Sequence, residues 1–159
     1  GLPRRSSGVE RRAFMSFEVQ FPVIEKVCWC DYNVLIHDLA RKAASNKRGV
    51  PEQVVALGRG GFIPGVQLSH ILGLPLVPLM WQTRDGHINE KYITDKHSLI
   101  VDDINDTGRT LFEFTSQCVW NNSYSVAVLY HKNSSMFNAV DYYAEVAEDE
   151  VWYEFPWER

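Results

Sequence analysis

The chain has 159 residues, 45% of them hydrophobic and 23% charged, with a formal net charge of −4. That length supports one domain with one good core, and the composition is that of an ordinary globular protein. The acidic balance excludes broad nucleic-acid binding, which needs a basic face, and no apolar run is long enough to span a bilayer.

Residues 1–14, GLPRRSSGVERRAF, carry Arg4, Arg5, Arg11 and Arg12 among serine and glycine. They read as a tail outside the fold, with Met15 as a natural start and 15–159 as the folded domain; a basic arm for nucleic acid is the less favoured alternative. Residues 23–29 alternate well enough for a first strand, which would set the sulfurs of Cys28 and Cys30 on one face. With Cys118 they make three thiols, an odd number with no metal-type spacing, and no signal-peptide pattern precedes them. Free thiols in a reducing, cytoplasmic setting are expected. Asp31 then reads as the N-cap of a helix over 32–45, with Leu35, Ile36, Leu39, Ala40 and Ala43 on one face. Residues 54–57 form a short apolar run of the kind buried on both sides of a parallel sheet. Gly58-Arg59-Gly60-Gly61 follows, then a helix over 62–72 stopped by Gly73. Residues 74–80 read as a strand that Pro75 and Pro78 place near an edge. Residues 82–97 are polar and aperiodic, a hairpin or a loop. Residues 99–101 form the next strand, 110–121 a helix, 125–130 a strand, and 142–146 and 151–155 short aromatic-rich strands.

Strands alternating with helices predict an α/β fold in three layers, a mostly parallel twisted sheet with helices on both faces. Ligands in such sheets bind at the C-terminal ends of the strands. The informative loops fall there, after Leu57, Val101 and Tyr130.

Residues 98–110, SLIVDDINDTGRT, are the densest chemistry in the chain. A strand ends in Asp102 and Asp103, Asp106 follows, and Thr107-Gly108-Arg109-Thr110 opens a helix. Small residues and a helix start present backbone N–H groups that suit a phosphate. The acids would repel phosphate, so they address something else on the same ligand: hydroxyls, a metal ion or a developing positive charge. The stretch 101–110 resembles the 5-phosphoribosyl 1-pyrophosphate (PRPP) motif of the type I phosphoribosyltransferases. Asn105 departs from it, standing where the family usually has an apolar residue, which suggests a turn held by a side-chain hydrogen bond.

The resemblance extends further. Arg59, Gly60 and Gly61 are similar to the family's pyrophosphate loop, where a non-proline cis peptide is often found; by position it falls at Gly58-Arg59. Residues 151–158, VWYEFPWE, resemble the ending of the small xanthine-guanine and hypoxanthine enzymes, with a small C-terminal hood region. Trp152 would there cover the purine face and Tyr153 lie at the base, while Trp157 suits the core as well. Lys132 would donate to a purine 6-oxygen; a lysine only donates, which favours a 6-oxopurine over adenine. The 82–97 segment matches the mobile hood loop by location, with Arg84, Lys91 and Lys96 within reach of pyrophosphate and no catalytic part for His87 or His97.

The resemblance therefore implies transfer of the phosphoribosyl group from PRPP to hypoxanthine, guanine or xanthine, a step of purine salvage. Asp106 would be the catalytic base. Asp106, Thr107, Gly108, Arg109 and Thr110 would hold the 5′-phosphate, and Asp102 and Asp103 the ribose hydroxyls, directly or through Mg²⁺. PRPP and a purine base are the expected partners, with a homodimer or homotetramer as the assembly. A PRPP- or nucleotide-sensing regulator, or an enzyme for another base such as orotate or uracil, are the alternatives.

Overall fold

The computed structural model describes residues 22–83 and 88–159. Nine strands, three helices and a terminal 3₁₀ turn are present among them. They run in the order β1 (Val23–Lys26), α1 (Trp29–Ala43), β2 (Gln53–Gly58), α2 (Phe62–Leu72), β3 (Leu76–Met80), β4 (Ile93–Thr94), β5 (Ser98–Asn105), α3 (Arg109–Gln117), β6 (Val119–Trp120), β7 (Tyr124–Lys132), β8 (Tyr142–Ala147), β9 (Val151–Glu154) and the 3₁₀ turn Pro156–Glu158.

The central sheet has five parallel strands in the order β3-β2-β5-β7-β8. Its inner strands are apolar in unbroken runs because both faces are covered. Val54, Leu99, Val101, Ala127 and Leu129 face α1 and α2, together with Leu35, Ile36, Leu39 and Leu68. Val55, Leu57, Ile100, Val126 and Val128 face the other way, onto Leu111 and Phe114 of α3, Trp81 and Phe137. Two helices thus cover one face, and a single helix with aromatic loop residues covers the other. Pro78 lies on β3, an edge strand as its missing N–H requires. Gly73 takes the left-handed conformation, φ +67°, that ends α2.

Several boundaries differ from the sequence reading. Helix α1 begins at Trp29, because Cys28 is its cap: the Cys28 Sγ accepts the Asp31 N–H at 3.3 Å, and the Asp31 carboxylate accepts the Cys28 N–H at 3.4 Å. Asp31 is therefore the third residue of a capping box rather than the N-cap. Cys28 and Cys30 consequently lie at a helix start, exposed, not on one face of a strand. Helix α3 stops at Gln117, and Val119–Trp120 leave it to pair with β4. The 82–97 segment forms no hairpin among its described residues. Its Ile93–Thr94 pairs with β6 instead; Arg84 and His87 lie outside the described residues. His97 is buried at the opposite end of the sheet from the C-terminal strand tips, its Nδ1 2.8 Å from the Ser123 hydroxyl. No helix of the described residues is long and apolar enough to cross a membrane.

The two ends of the described residues meet over the sheet. β1 and β9 form a separate parallel pair, Val23 opposite Val151 and Ile24 opposite Trp152. Val27, Tyr153 and Phe155 seat this pair on the α1 side of the core. The expected C-terminal hood region is therefore built from both termini of the described chain.

Candidate active site

The C-terminal tips of β2 and β5 and the 151–158 segment enclose a cleft of about 680 Å³. Arg59, Gly60, Asp102, Asp103, Asp106, Thr107, Gly108 and Thr110 line one part of it, and Trp152, Tyr153, Phe155, Trp157 and Glu158 the other. Ten of the residues singled out from the sequence therefore meet in one place.

The acids sit on the strand rather than beyond it, since β5 continues to Asn105. Asp102 is buried and accepts the Asp103 N–H at 2.9 Å; Asp103 accepts the Ile104 N–H at 2.7 Å. Burial, then the neighbouring Asp103 charge, raises the Asp102 carboxyl well above the usual range. Burial likewise raises Asp103, to about 6, with Glu158 adding repulsion. A Cβ built on Gly60 would lie 2.4 Å from Asp103 Oδ2, so the pyrophosphate-type loop closes on this carboxylate only because residue 60 has none. Two carboxylates destabilised by burial, Asp102 also by the Asp103 charge and Asp103 by Glu158, form a pair that a divalent cation would relieve. No cluster of three or more potential metal ligands exists among the described residues, so remaining ligands would come from water and substrate oxygens.

The phosphate-type loop follows. Gly108 caps α3 with φ +90° and no side-chain cap of its own, which leaves the first-turn amides after Arg109 for another acceptor. The Thr107 hydroxyl accepts the Arg109 N–H at 3.3 Å. The peptide Gly58–Arg59 is cis, as the resemblance implied.

Three of the singled-out residues do not line the cleft. Gly61 is buried, its N–H donated to Leu57 O at 2.7 Å, so it packs the loop onto the sheet. The Arg109 side chain runs along α3 to Glu113, 3.5 Å away; it contributes backbone to the loop. Lys132 lies beneath the cleft floor, 5% exposed at its side chain. Its ammonium donates to Asp106 Oδ1 at 2.9 Å, Val151 O at 2.8 Å and Asp149 O at 3.1 Å. All three hydrogens are thus engaged. A purine oxygen would have to displace one of these acceptors.

Trp152 is 52% exposed, which for an indole at a cleft wall leaves a free face. Tyr153 is buried: its ring stacks on Tyr130 at 4.5 Å, and its hydroxyl accepts the Glu148 N–H at 2.9 Å. Residue 153 thus shapes the base end as packed wall. Trp157 stacks on Phe155, 4.9 Å between centroids and 6° between planes, and serves core and cleft together. Sequence reasoning missed Glu158 and Trp81 as lining residues. Glu158 accepts the Phe155 N–H at 2.7 Å, and the x-Pro-x-Glu spacing of a capped turn was the available signal. Trp81 follows β3 and meets Phe114 edge-on at 5.0 Å; nothing local distinguished it from a core aromatic.

Comparison with solved structures gives the family. A purine phosphoribosyltransferase from Pyrococcus horikoshii Ot3 superposes with a TM-score of 0.68 and 31% identity, over 86% of this chain and 94% of that one. The Helicobacter pylori xanthine-guanine-hypoxanthine phosphoribosyltransferase gives 0.68 and 22% identity, over 85% and 94%. A hypothetical protein from Neisseria gonorrhoeae with bound ppGpp gives 0.65 and 22%, over 89% and 92%. Neither known sequence-family patterns nor curated proteins give a match. The chain belongs to the type I phosphoribosyltransferase family. Among solved structures it is similar to the purine phosphoribosyltransferase of Pyrococcus horikoshii Ot3.

Proposed function

We propose that this protein transfers the 5-phosphoribosyl group of PRPP to a 6-oxopurine, hypoxanthine, guanine or xanthine, releasing pyrophosphate and the nucleoside 5′-monophosphate. One observation carries the reading: a single cleft joins a phosphate-type loop and a carboxylate pair to an open indole face, with Asp106 among its lining residues.

In this reading the amides of 107–110 and the hydroxyls of Thr107 and Thr110 hold the 5′-phosphate. Asp102 and Asp103 face the ribose hydroxyls and would hold Mg²⁺, which when bound offsets charge on the leaving pyrophosphate. Arg59, exposed at the cleft rim, adds a fixed positive charge for the same oxygens. Trp152 covers the base, a stacking contact worth about 1–3 kcal/mol and tolerant of base identity. As the ribose–pyrophosphate bond breaks, the sugar carbon gains positive character. Asp106 stabilises it and takes the proton from N7 of the purine as N9 bonds to the sugar carbon. Lys132 fixes the Asp106 carboxylate from below and supplies the donor for the 6-oxygen by exchanging one carbonyl partner. Much of the rate comes from placing two substrates in one dry cleft. Assembly as a homodimer or homotetramer and a cytoplasmic place belong to the same proposal; Val66 and Ile71 of α2 and Met80 of edge strand β3 leave apolar surface exposed for a second copy.

The test is Asp106→Asn with PRPP, magnesium and hypoxanthine. Turnover should fall by about 10²–10³, the range for a lost general base, with PRPP binding retained. Normal turnover would remove Asp106 from its role. A wild-type protein that binds PRPP but converts no base would favour a sensing regulator.

A further inference from the structure

We propose that Asn105 and Ser135 form a brace that sets the 5′-phosphate loop in its binding geometry, Asn105 acting as a positioning residue rather than a substrate ligand. The inference rests on the reading that residues 107–110 take the 5′-phosphate.

Asn105 ends β5 beside His131 of β7 and is 1% exposed. Its Nδ2 donates to Phe137 O at 2.7 Å and lies 3.1 Å from His131 Nδ1. Because Nδ2 only donates, the His131 Nδ1 is the acceptor and the ring carries its proton on Nε2. The Asn105 Oδ1 accepts the Ser135 hydroxyl at 3.1 Å, and the Ser135 Oγ in turn accepts the Phe137 N–H at 3.0 Å. The amide is therefore fully engaged and has no hydrogen left for a substrate.

The same 135–137 segment supports the loop from behind. Met136 N–H donates to Thr107 O at 2.9 Å. A Cβ on Gly108 would lie 2.4 Å from Ser135 Oγ and 2.6 Å from Phe137 N, so the loop backbone rests directly on this segment. Asn105 fastens the segment to β5, and the segment fixes the carbonyl side of Thr107 and the back of Gly108. That leaves the opposite side of the loop toward the cleft. An apolar side chain at 105 supplies none of these bonds. A buried polar network with every member satisfied specifies one arrangement; without the Ser135 hydroxyl the Asn105 oxygen and the Phe137 N–H lose a partner, and without the Asn105 amide hydrogens the Phe137 carbonyl keeps only the Ser135 hydroxyl, 3.2 Å away.

Ser135→Ala and Asn105→Asp test the brace. The first removes one hydroxyl; the second keeps the oxygen and removes both amide hydrogens. Calorimetry with ribose 5-phosphate, which needs the loop and no base, is read beside steady-state kinetics. In each folded variant the dissociation constant for ribose 5-phosphate and the KM for PRPP should rise about tenfold or more, the scale of lost supporting contacts. The KM for the base and kcat at saturating PRPP should stay within about threefold, since Ser135 is not a lining residue and Asn105, which lines the cleft at 1% exposure, has its amide turned into the brace. Unchanged phosphate affinity in both variants overturns the brace, and so does a parallel rise in the base KM. Failure of the wild-type protein to bind ribose 5-phosphate removes the phosphate-loop reading together with the proposal.

Discussion

Replacing Lys132 by methionine probes the most heavily engaged side chain of the site. Methionine keeps the apolar stem and removes the ammonium. The buried Val151 carbonyl and the part-buried Asp149 carbonyl then lose a charged donor at 2.8 and 3.1 Å, each such bond contributing about 1.5–3 kcal/mol. Asp106, 38% exposed at its side chain, rehydrates, so its ion pair adds little. Part of the carbonyl loss is recovered by relaxation, which leaves a destabilisation of about 2–4 kcal/mol. For a domain of this size that lowers the melting temperature by about 4–16 °C. Lys91, exposed in the 82–97 segment, is the control: Lys91→Met should change stability by about 0.5 kcal/mol or less. Thermal unfolding by circular dichroism reads both. Equal melting temperatures for Lys132→Met and wild type would mean that the ammonium is solvated, and the tether between Asp106 and the base-covering strand would not exist.

Further outcomes follow from the same geometry. Trp152→Ala should weaken base binding by about 1–3 kcal/mol, a roughly 5- to 150-fold loss, and spare PRPP; calorimetry with each ligand separates the two, and equal losses would contradict the stacking role. Gly60→Ala drives a methyl into Asp103 and should cost about 1–3 kcal/mol of overpacking, read as weaker Mg²⁺-PRPP binding; unchanged binding would show that the loop stands away from the carboxylate. The native carboxyls of Asp102 and Asp103 hold protons more tightly than the unfolded chain does, because burial raises them, Asp103 to about 6. Stability of the ligand-free protein should therefore increase as pH falls from about 6 toward 4 through these two groups, while magnesium binding weakens over the same window because only ionised carboxylates ligate. Melting temperatures between pH 4 and 7, with and without magnesium pyrophosphate, check the sign; a metal effect independent of pH would remove the pair as ligands.

Much of this was legible locally. Residues 54–57 and 99–101 are short apolar runs without alternation, which suit a doubly covered parallel strand once their length and flanking turns are counted, and both lead into the cleft. Pro78 gave the edge strand and Gly73 the end of α2. Other features depend on partners remote in sequence. The pairing of β1 with β9 joins opposite ends of the described chain, and no local pattern encodes it. Because β7 is buried on both faces from Ser125 to Lys132, alternation does not say where Lys132 points. The cap of α1 was misplaced because Asp31 is a common N-cap type, whereas a cysteine sulfur in that role is not. Arg109 matched a binding motif, but its pairing with Glu113 is an ordinary i,i+4 contact on an exposed helix face. Asn105 announced a departure; its partners, Ser135 and Phe137, became visible only when the β7–β8 connection was placed beside it.

The most direct measurement is product formation from PRPP and magnesium with hypoxanthine, guanine, xanthine, adenine, orotate and uracil in parallel. At least one of the three 6-oxopurines should yield its nucleoside 5′-monophosphate with an equivalent of pyrophosphate, and adenine, orotate and uracil should yield none. Product from orotate, uracil or adenine alone, or from no base at all, would contradict the account.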